Sequence, residues 1–223
     1  MRRARLRLRG GLAGLCLFAL LSVTQAADID ELVGAAVRDN PGQLRRLLEK
    51  GVDPNALDSQ GRLALVTALQ EESPKSIELL LDDGRIDVRR RNRAGETALM
   101  IAALKGNLDM VLRLLDLGAE PDHAGWTPLH YAASNGDPRI VELLLARGVR
   151  VDAESPNGTT PLMMAAGYGS ESAVRLLLKA GAVPERRNAR GMDAADFARM
   201  ASRNALAEGF EDLKRRRAAR RQP

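Results

Sequence analysis

The chain has 223 residues, 45% of them apolar and only 3% aromatic, so its core must be built from small and aliphatic side chains, which suit close-packed helices better than a β-sandwich. The formal charge of +5 sits at the two ends: without the five arginines of residues 1–26 and the six basic residues of 214–221, the body carries 23 basic against 29 acidic groups, which gives no support to nucleic-acid binding. The one cysteine, Cys16, also lies in the N-terminal segment, so residues 27–223 can form no disulfide.

Residues 1–26 read as a secretory signal peptide. Arg2, Arg3, Arg5, Arg7 and Arg9 form a positive head, Leu12 to Val23 an apolar core, and Thr24-Gln25-Ala26 a small-residue end. Cleavage is expected after Ala26 or one residue later. A mitochondrial transit peptide is the rival, being also Arg-rich and free of acids, but such peptides alternate their faces and this apolar run is continuous. Arg2-Arg3 lacks the rest of a twin-arginine signal, and Ala13-Gly14-Leu15-Cys16 is a poor lipoprotein box. A soluble exported protein is expected. Arginine outnumbers lysine 29 to 5, which points to a GC-rich genome.

From Asp30 onward the pattern is periodic. Asp30 is placed as the cap of a first helix, Leu32 to Val37, and Leu44 to Leu48 form a second helix ended at Gly51. A weak copy follows from Gly61 through Leu65 to Ala68, with Leu63 in the cap position and Glu72 where a glycine is expected. Then comes Gly95-Glu96-Thr97-Ala98-Leu99-Met100-Ile101-Ala102-Ala103, repeated as Gly125-Trp126-Thr127-Pro128-Leu129-His130-Tyr131-Ala132-Ala133. It recurs as Gly158-Thr159-Thr160-Pro161-Leu162-Met163-Met164-Ala165-Ala166, and a last copy runs from Gly191 through Ala195 to Ala198. The threonines cap first helices, the prolines occupy a position whose missing N–H costs nothing, and the paired alanines allow close approach. Gly106-Asn107, Gly136-Asp137 and Gly169-Ser170 break each first helix and cap the next. Second helices carry Val111 to Leu115, Ile140 to Leu145 and Val174 to Leu178, and Gly118, Gly148 and Gly181 stop them. The glycine starts are 34, 30, 33 and 33 residues apart, so the loop after Gly118 is three residues short and its hairpin at Asp122 and His123 should be stunted. Asp193 to Met200 and Ala205 to Leu213 give a last pair, its second helix shortened. The tail 214–223 is expected to be disordered.

A period near 33 with Thr127-Pro128-Leu129-His130-Tyr131-Ala132 resembles the ankyrin-repeat family over residues 27–213. The resemblance implies an all-α solenoid of about six helix pairs with short hairpin-like loops, the outer two pairs acting as caps. It implies that His130 knits neighbouring turns by hydrogen bonds and that the first helices and loop tips offer a concave surface to a protein partner. The chain also resembles signal-peptide-bearing ankyrin-repeat proteins of the bacterial periplasm, some of them associated with protection against oxidative stress.

No catalytic, cofactor or metal site is expected. His130 and Ser134 lie one turn apart, but the repeat motif accounts for both, and no phosphate loop or nucleophile elbow occurs. His123 is read as an exposed loop residue, and Met100, Met163, Met164, Met192 and Met200 as core filling. The candidate partner-binding residues are Trp126 and Tyr168, with Leu104, Lys105, Ser134, Asn135 and Thr159 at equivalent outward positions, while Tyr131 is assigned to packing. Arg90 and Arg91, in the Arg89–Arg93 run, could grip an acidic surface or simply be solvated. The expected function is non-catalytic protein binding in the periplasm by a monomer, with no nucleic acid and no stable membrane insertion. An immunity-type inhibitor of a toxin delivered there and an effector exported to bind host proteins are the alternatives.

Overall fold

Paired alanines and glycine-ended helices leave few options other than helix on helix, and helix pairs are what form. The computed structural model describes residues 25–135 and 137–220. Among these are twelve α-helices and no strand, in two compact units that divide between Ile86 and Asp87. The leader read over residues 1–26 lies outside the described residues except for Gln25 and Ala26, as do Gly136 and the end of the tail.

The first unit holds α1 (residues 25–37 as described), α2 (Pro41–Glu49), α3 (Ala64–Gln70) and α4 (Pro74–Leu81). Leu32, Val33, Ala35 and Ala36 of α1 are buried with Leu44, Leu65, Ala68 and Leu80. Asp30 is not the cap of α1. The helix already runs through it, because Ala26, Ala27 and Ile29 extend the helix-favouring run upstream, and the Asp30 carboxylate instead accepts the Ser59 N–H at 2.7 Å. A second carboxylate, Asp39, accepts the Ser76 N–H at 2.8 Å in the same way. Arg85 ties the far side together: Asp83 holds its guanidinium at 2.6 Å while Nη2 donates to Leu48 O at 3.2 Å.

The second unit holds α5 (Ala98–Leu104), α6 (Leu108–Asp116), α7 (Pro128–Asn135), α8 (Pro138–Ala146), α9 (Pro161–Gly167), α10 (Glu171–Lys179), α11 (Ala194–Met200) and α12 (Asn204–Arg220). The first helices stack in the order α5, α7, α9, α11, the second helices α6, α8, α10 stack beside them, and α12 closes on α11. The paired alanines 102–103, 132–133 and 165–166 are fully buried between the first helices, as their size requires. Thr97 and Thr160 cap α5 and α9, and Asn107 and Ser170 cap α6 and α10. The residue three past each first-helix cap position accepts that position's N–H, through Met100 Sδ, His130 Nδ1, Met163 Sδ and Asp196 Oδ2. So Met100 and Met163 are buried as expected, but Met200 is 62% exposed, because it ends the outermost first helix.

Where a first helix ends, Asp39, Glu72, Gly106 and Ser202 share a repeat position and a left-handed backbone. The departure at Glu72 therefore keeps the turn, at a strain of about 1 kcal/mol for a residue with a Cβ. Gly169 occupies the same position for a different reason. Its φ is not left-handed, yet a Cβ there would lie 2.0 Å from Ala133 O, so close backbone approach demands glycine.

The loop tips of the long repeats are four-residue turns. Asp58, Asn92, Ser155 and Asn188 each accept the N–H of the glycine three residues on. In the short loop after Gly118, Asp122 takes Arg150 instead, with Nε at 2.9 Å, Nη2 at 3.0 Å and the Arg150 N–H at 3.1 Å. The same guanidinium donates to His123 O at 2.7 Å.

The C-terminus differs from expectation. Helix α12 is long rather than shortened, and residues 214–220 are helical rather than disordered. The cause is charge pairing: Lys214 Nζ lies 2.7 Å from Asp193 and 3.1 Å from Glu211, Arg216 2.7 Å from Asp212, and Arg217 3.3 Å from Glu185. Arg203, just before α12, donates from Nη1 to Ala165 O, Ala166 O and Gly169 O at 2.9–3.0 Å. A cation there satisfies the orphan carbonyls at the end of α9.

Candidate functional site

The site is built around His130. Its Nδ1 accepts the Thr127 N–H at 3.1 Å, which places the proton on Nε2, and Nε2 donates to Thr159 O at 2.9 Å. The ring thereby ties one repeat to the next, the role the family resemblance implied. Burial holds its pKa down at about 4, against an ordinary 6.5, with the bond to Thr159 opposing the shift. His130 is therefore neutral at physiological pH and adds no charge to the face above it.

On that neutral base stand two aromatic rings. Trp126 meets His130 edge-on at 5.1 Å and Tyr131 at 6.4 Å, with interplanar angles of 71° and 83°. Leu104, Trp126, His130, Tyr131, Ser134 and Met164 line an open cavity of about 260 Å³. Trp126, Tyr131 and Met164 are each half-buried, so Tyr131 and Met164 belong to the surface as well as to packing. Tyr131 Oη donates to Glu96 Oε1 at 3.3 Å, and Asn92 Nδ2 donates to Glu96 Oε2 at 2.8 Å. This desolvated, carboxylate-facing phenol has its pKa pushed up to about 12. Ser134 Oγ donates to Tyr131 O at 2.8 Å and Asn135 Nδ2 to Leu104 O, so both polar side chains serve helix ends. With its hydroxyl turned to the backbone, Ser134 is not arranged as a nucleophile for His130.

Of the remaining sequence-derived residues, Lys105 is exposed beside Leu104, and Tyr168 is 65% exposed at the end of α9. Thr159 is a correction: it lies 2% exposed, because its N–H bonds Ser155 Oγ at 3.0 Å and its carbonyl takes His130, and a partner cannot reach it. His123 is a second correction, since it is half-buried, with its Nε2 enclosed and without a hydrogen-bond partner. Burial lowers its pKa, and Arg91 adds to that shift. Arg90 and Arg91 are exposed on the loop before Gly95. Tyr131 and Met164 are what sequence reasoning missed. Their shared position, just before the paired alanines, reads as core unless the shape of the neighbouring loop is known.

Among the described residues no group of three or more His, Cys, Asp or Glu side chains could hold a metal ion, and no helix is long and apolar enough to cross a membrane.

The histidine makes stability pH-dependent. Because its folded pKa is depressed, the stabilisation is complete above pH 6.5, the unfolded value, and is lost as the pH falls toward 4. The unfolded chain binds a proton there that the fold refuses, which amounts to about 3 kcal/mol. Urea unfolding at the two ends of that window checks this. His130→Gln should flatten the slope, and an unchanged slope in that variant would assign the titration to another group.

A family model for ankyrin repeats (three copies) matches residues 32–124 and again 117–188, together more than half of the chain. The mouse B-cell lymphoma 3 protein homolog is 36% identical over 132 residues, 56% of this chain and 30% of that protein. Human SH3 and multiple ankyrin repeat domains protein 1 is 41% identical over 123 residues, 52% of this chain and 6% of that protein. The chain thus spans less than a third of the length of these relatives. Among solved structures, a chain from the complex of a predatory endopeptidase of Bdellovibrio bacteriovorus with an immunity protein superimposes with a TM-score of 0.66 at 28% identity. That match covers 82% of this chain and 97% of the other.

Proposed function

The chain belongs to the ankyrin-repeat family, and from that premise we propose that it acts by binding a protein on the first-helix face of residues 87–220. The observation that carries this is the cavity lined by Trp126 and Tyr131, with the exposed Tyr168 on the same row of helices. Half-buried and exposed aromatics around a concavity are the side chains that most often anchor protein interfaces. The test is capture of a partner from cell extract by the purified protein. Trp126→Ala combined with Tyr168→Ala should abolish capture with little change in thermal midpoint. Full capture by that folded double variant would move the interface elsewhere.

The complex with an immunity protein supports a sharper reading, an inhibitor that covers a peptidase. That architecture, seen over 97% of a chain found beside an endopeptidase, favours it over protection from oxidative stress, for which no observation speaks. The site of action in this reading is the periplasm, reached by export and removal of residues 1–26. Intact-mass measurement of the protein recovered from periplasm tests the export step: the mass should lack those residues, and a mass retaining Met1 would defeat it.

A further inference from the structure

The cavity does not stand alone, because its phenol is hydrogen-bonded through Glu96 to the turn that carries a run of arginines. Tyr131 Oη bonds Glu96 at 3.3 Å, and Glu96 is bonded in turn by Asn92, which sits between Arg91 and Arg93 in the turn closed by Gly95. Arg90, Arg91 and Arg93 are exposed, Arg90 lying near enough to Asp87 to help lower its pKa, whereas Arg89 takes Asp87 at 3.1 Å. The nearby carboxylates are already engaged: Glu96 by Asn92 and Tyr131, and Asp122 by the Arg150 fork. The next tip, after Gly118, is the one three residues short, so the arginine tip is flanked by a step in the row of loops rather than by a neighbour of equal height.

We propose that the arginine tip and the cavity form one site for an acidic segment of a partner protein, an apolar side chain entering the cavity lined by Leu104, Trp126, Tyr131 and Met164 while neighbouring carboxylates pair with Arg90, Arg91 and Arg93. This rests on the protein-binding reading above and names the chemistry of the partner. A cationic segment is excluded by the same arrangement, since three like charges at the rim repel it. A neutral apolar segment would fill the cavity but leave the arginines without a role. Arginine suits the task, because its planar fork pairs two-pronged with a carboxylate.

The test pans phage displaying random peptides against the full chain lacking its leader, then titrates the enriched peptide by fluorescence anisotropy. Enriched sequences should place Asp or Glu beside a large apolar residue. The Arg90→Glu, Arg91→Glu, Arg93→Glu variant should bind that peptide at least about tenfold more weakly, with a shallower salt dependence. Those three side chains hold no backbone group, so the variant should fold, as its thermal midpoint would report. Trp126→Ala should weaken binding by about tenfold or more. A basic or uncharged consensus, no enrichment, or unchanged binding by the arginine variant overturns the proposal. A partner lost by the Trp126 and Tyr168 double variant but held fully by the arginine variant removes this site and leaves the protein-binding reading standing.

Discussion

Gly169→Ala is expected to destabilise residues 87–220 by about 3 kcal/mol or more. A Cβ at this position would stand 2.0 Å from Ala133 O and 3.0 Å from Ala165 Cα. Both obstacles are backbone, and backbone within a stack of helices cannot swing aside as a side-chain tip can. Relief requires α7 and α9 to part, and they meet through the buried pairs 132–133 and 165–166. Separation would also stretch the three bonds from Arg203 to the end of α9. Gly148→Ala is the control. It has φ +76 and nothing within 4 Å of the added carbon, so it should cost only the left-handed strain of about 1–2 kcal/mol. Equal losses for the two variants in chemical denaturation would mean that close approach is not what fixes glycine at 169.

Leu144→Ala is expected to cost about 2–5 kcal/mol, since removing a fully buried leucine loses its transfer energy and leaves a cavity. Leu144 is 0% exposed on α8, which packs between α6 and α10 as well as on its own partner α7. Repeats support one another only through such contacts, so loosening α8 should spread to the neighbouring pairs. Hydrogen exchange should show lost protection in α6 and α10 along with α8. A loss below about 1 kcal/mol would mean that the helix face is misassigned.

What the sequence could disclose is what repeats. The in-phase Gly–Thr–Pro–Leu and Ala–Ala pattern placed the first helices of residues 95–166, the threonine caps at Thr97 and Thr160 and the left-handed stop at Gly106, because those features depend on local backbone chemistry. Leu144 and Leu177, within the apolar runs read as second helices, are both fully buried. Contacts between residues about thirty positions apart left no such mark. Asp30 looked like a cap because caps are local, but its partner is Ser59. Thr159 looked like a neighbour of Trp126 in register, yet its carbonyl is committed to His130. The Arg150 and Arg203 clamps exist only once a long side chain reaches another repeat. Helix α12 was legible and missed: Glu211 with Lys214, and Asp212 with Arg215 and Arg216, stand at the three- and four-residue spacing that supports a helix. Within the site, the aromatic residues could be picked from the sequence. The cavity could not, because it opens where the short loop, α5, α7 and α9 meet.

Hydrogen–deuterium exchange on the captured complex tests the central claim most directly. The first-helix face and its loop tips should gain protection, chiefly in residues 89–105, 123–135 and 161–168, while the outward faces of α6, α8 and α10 exchange as in the free protein. Protection confined to α6, α8 and α10, with residues 123–135 unchanged, would contradict binding through the face that carries Trp126 and Tyr131.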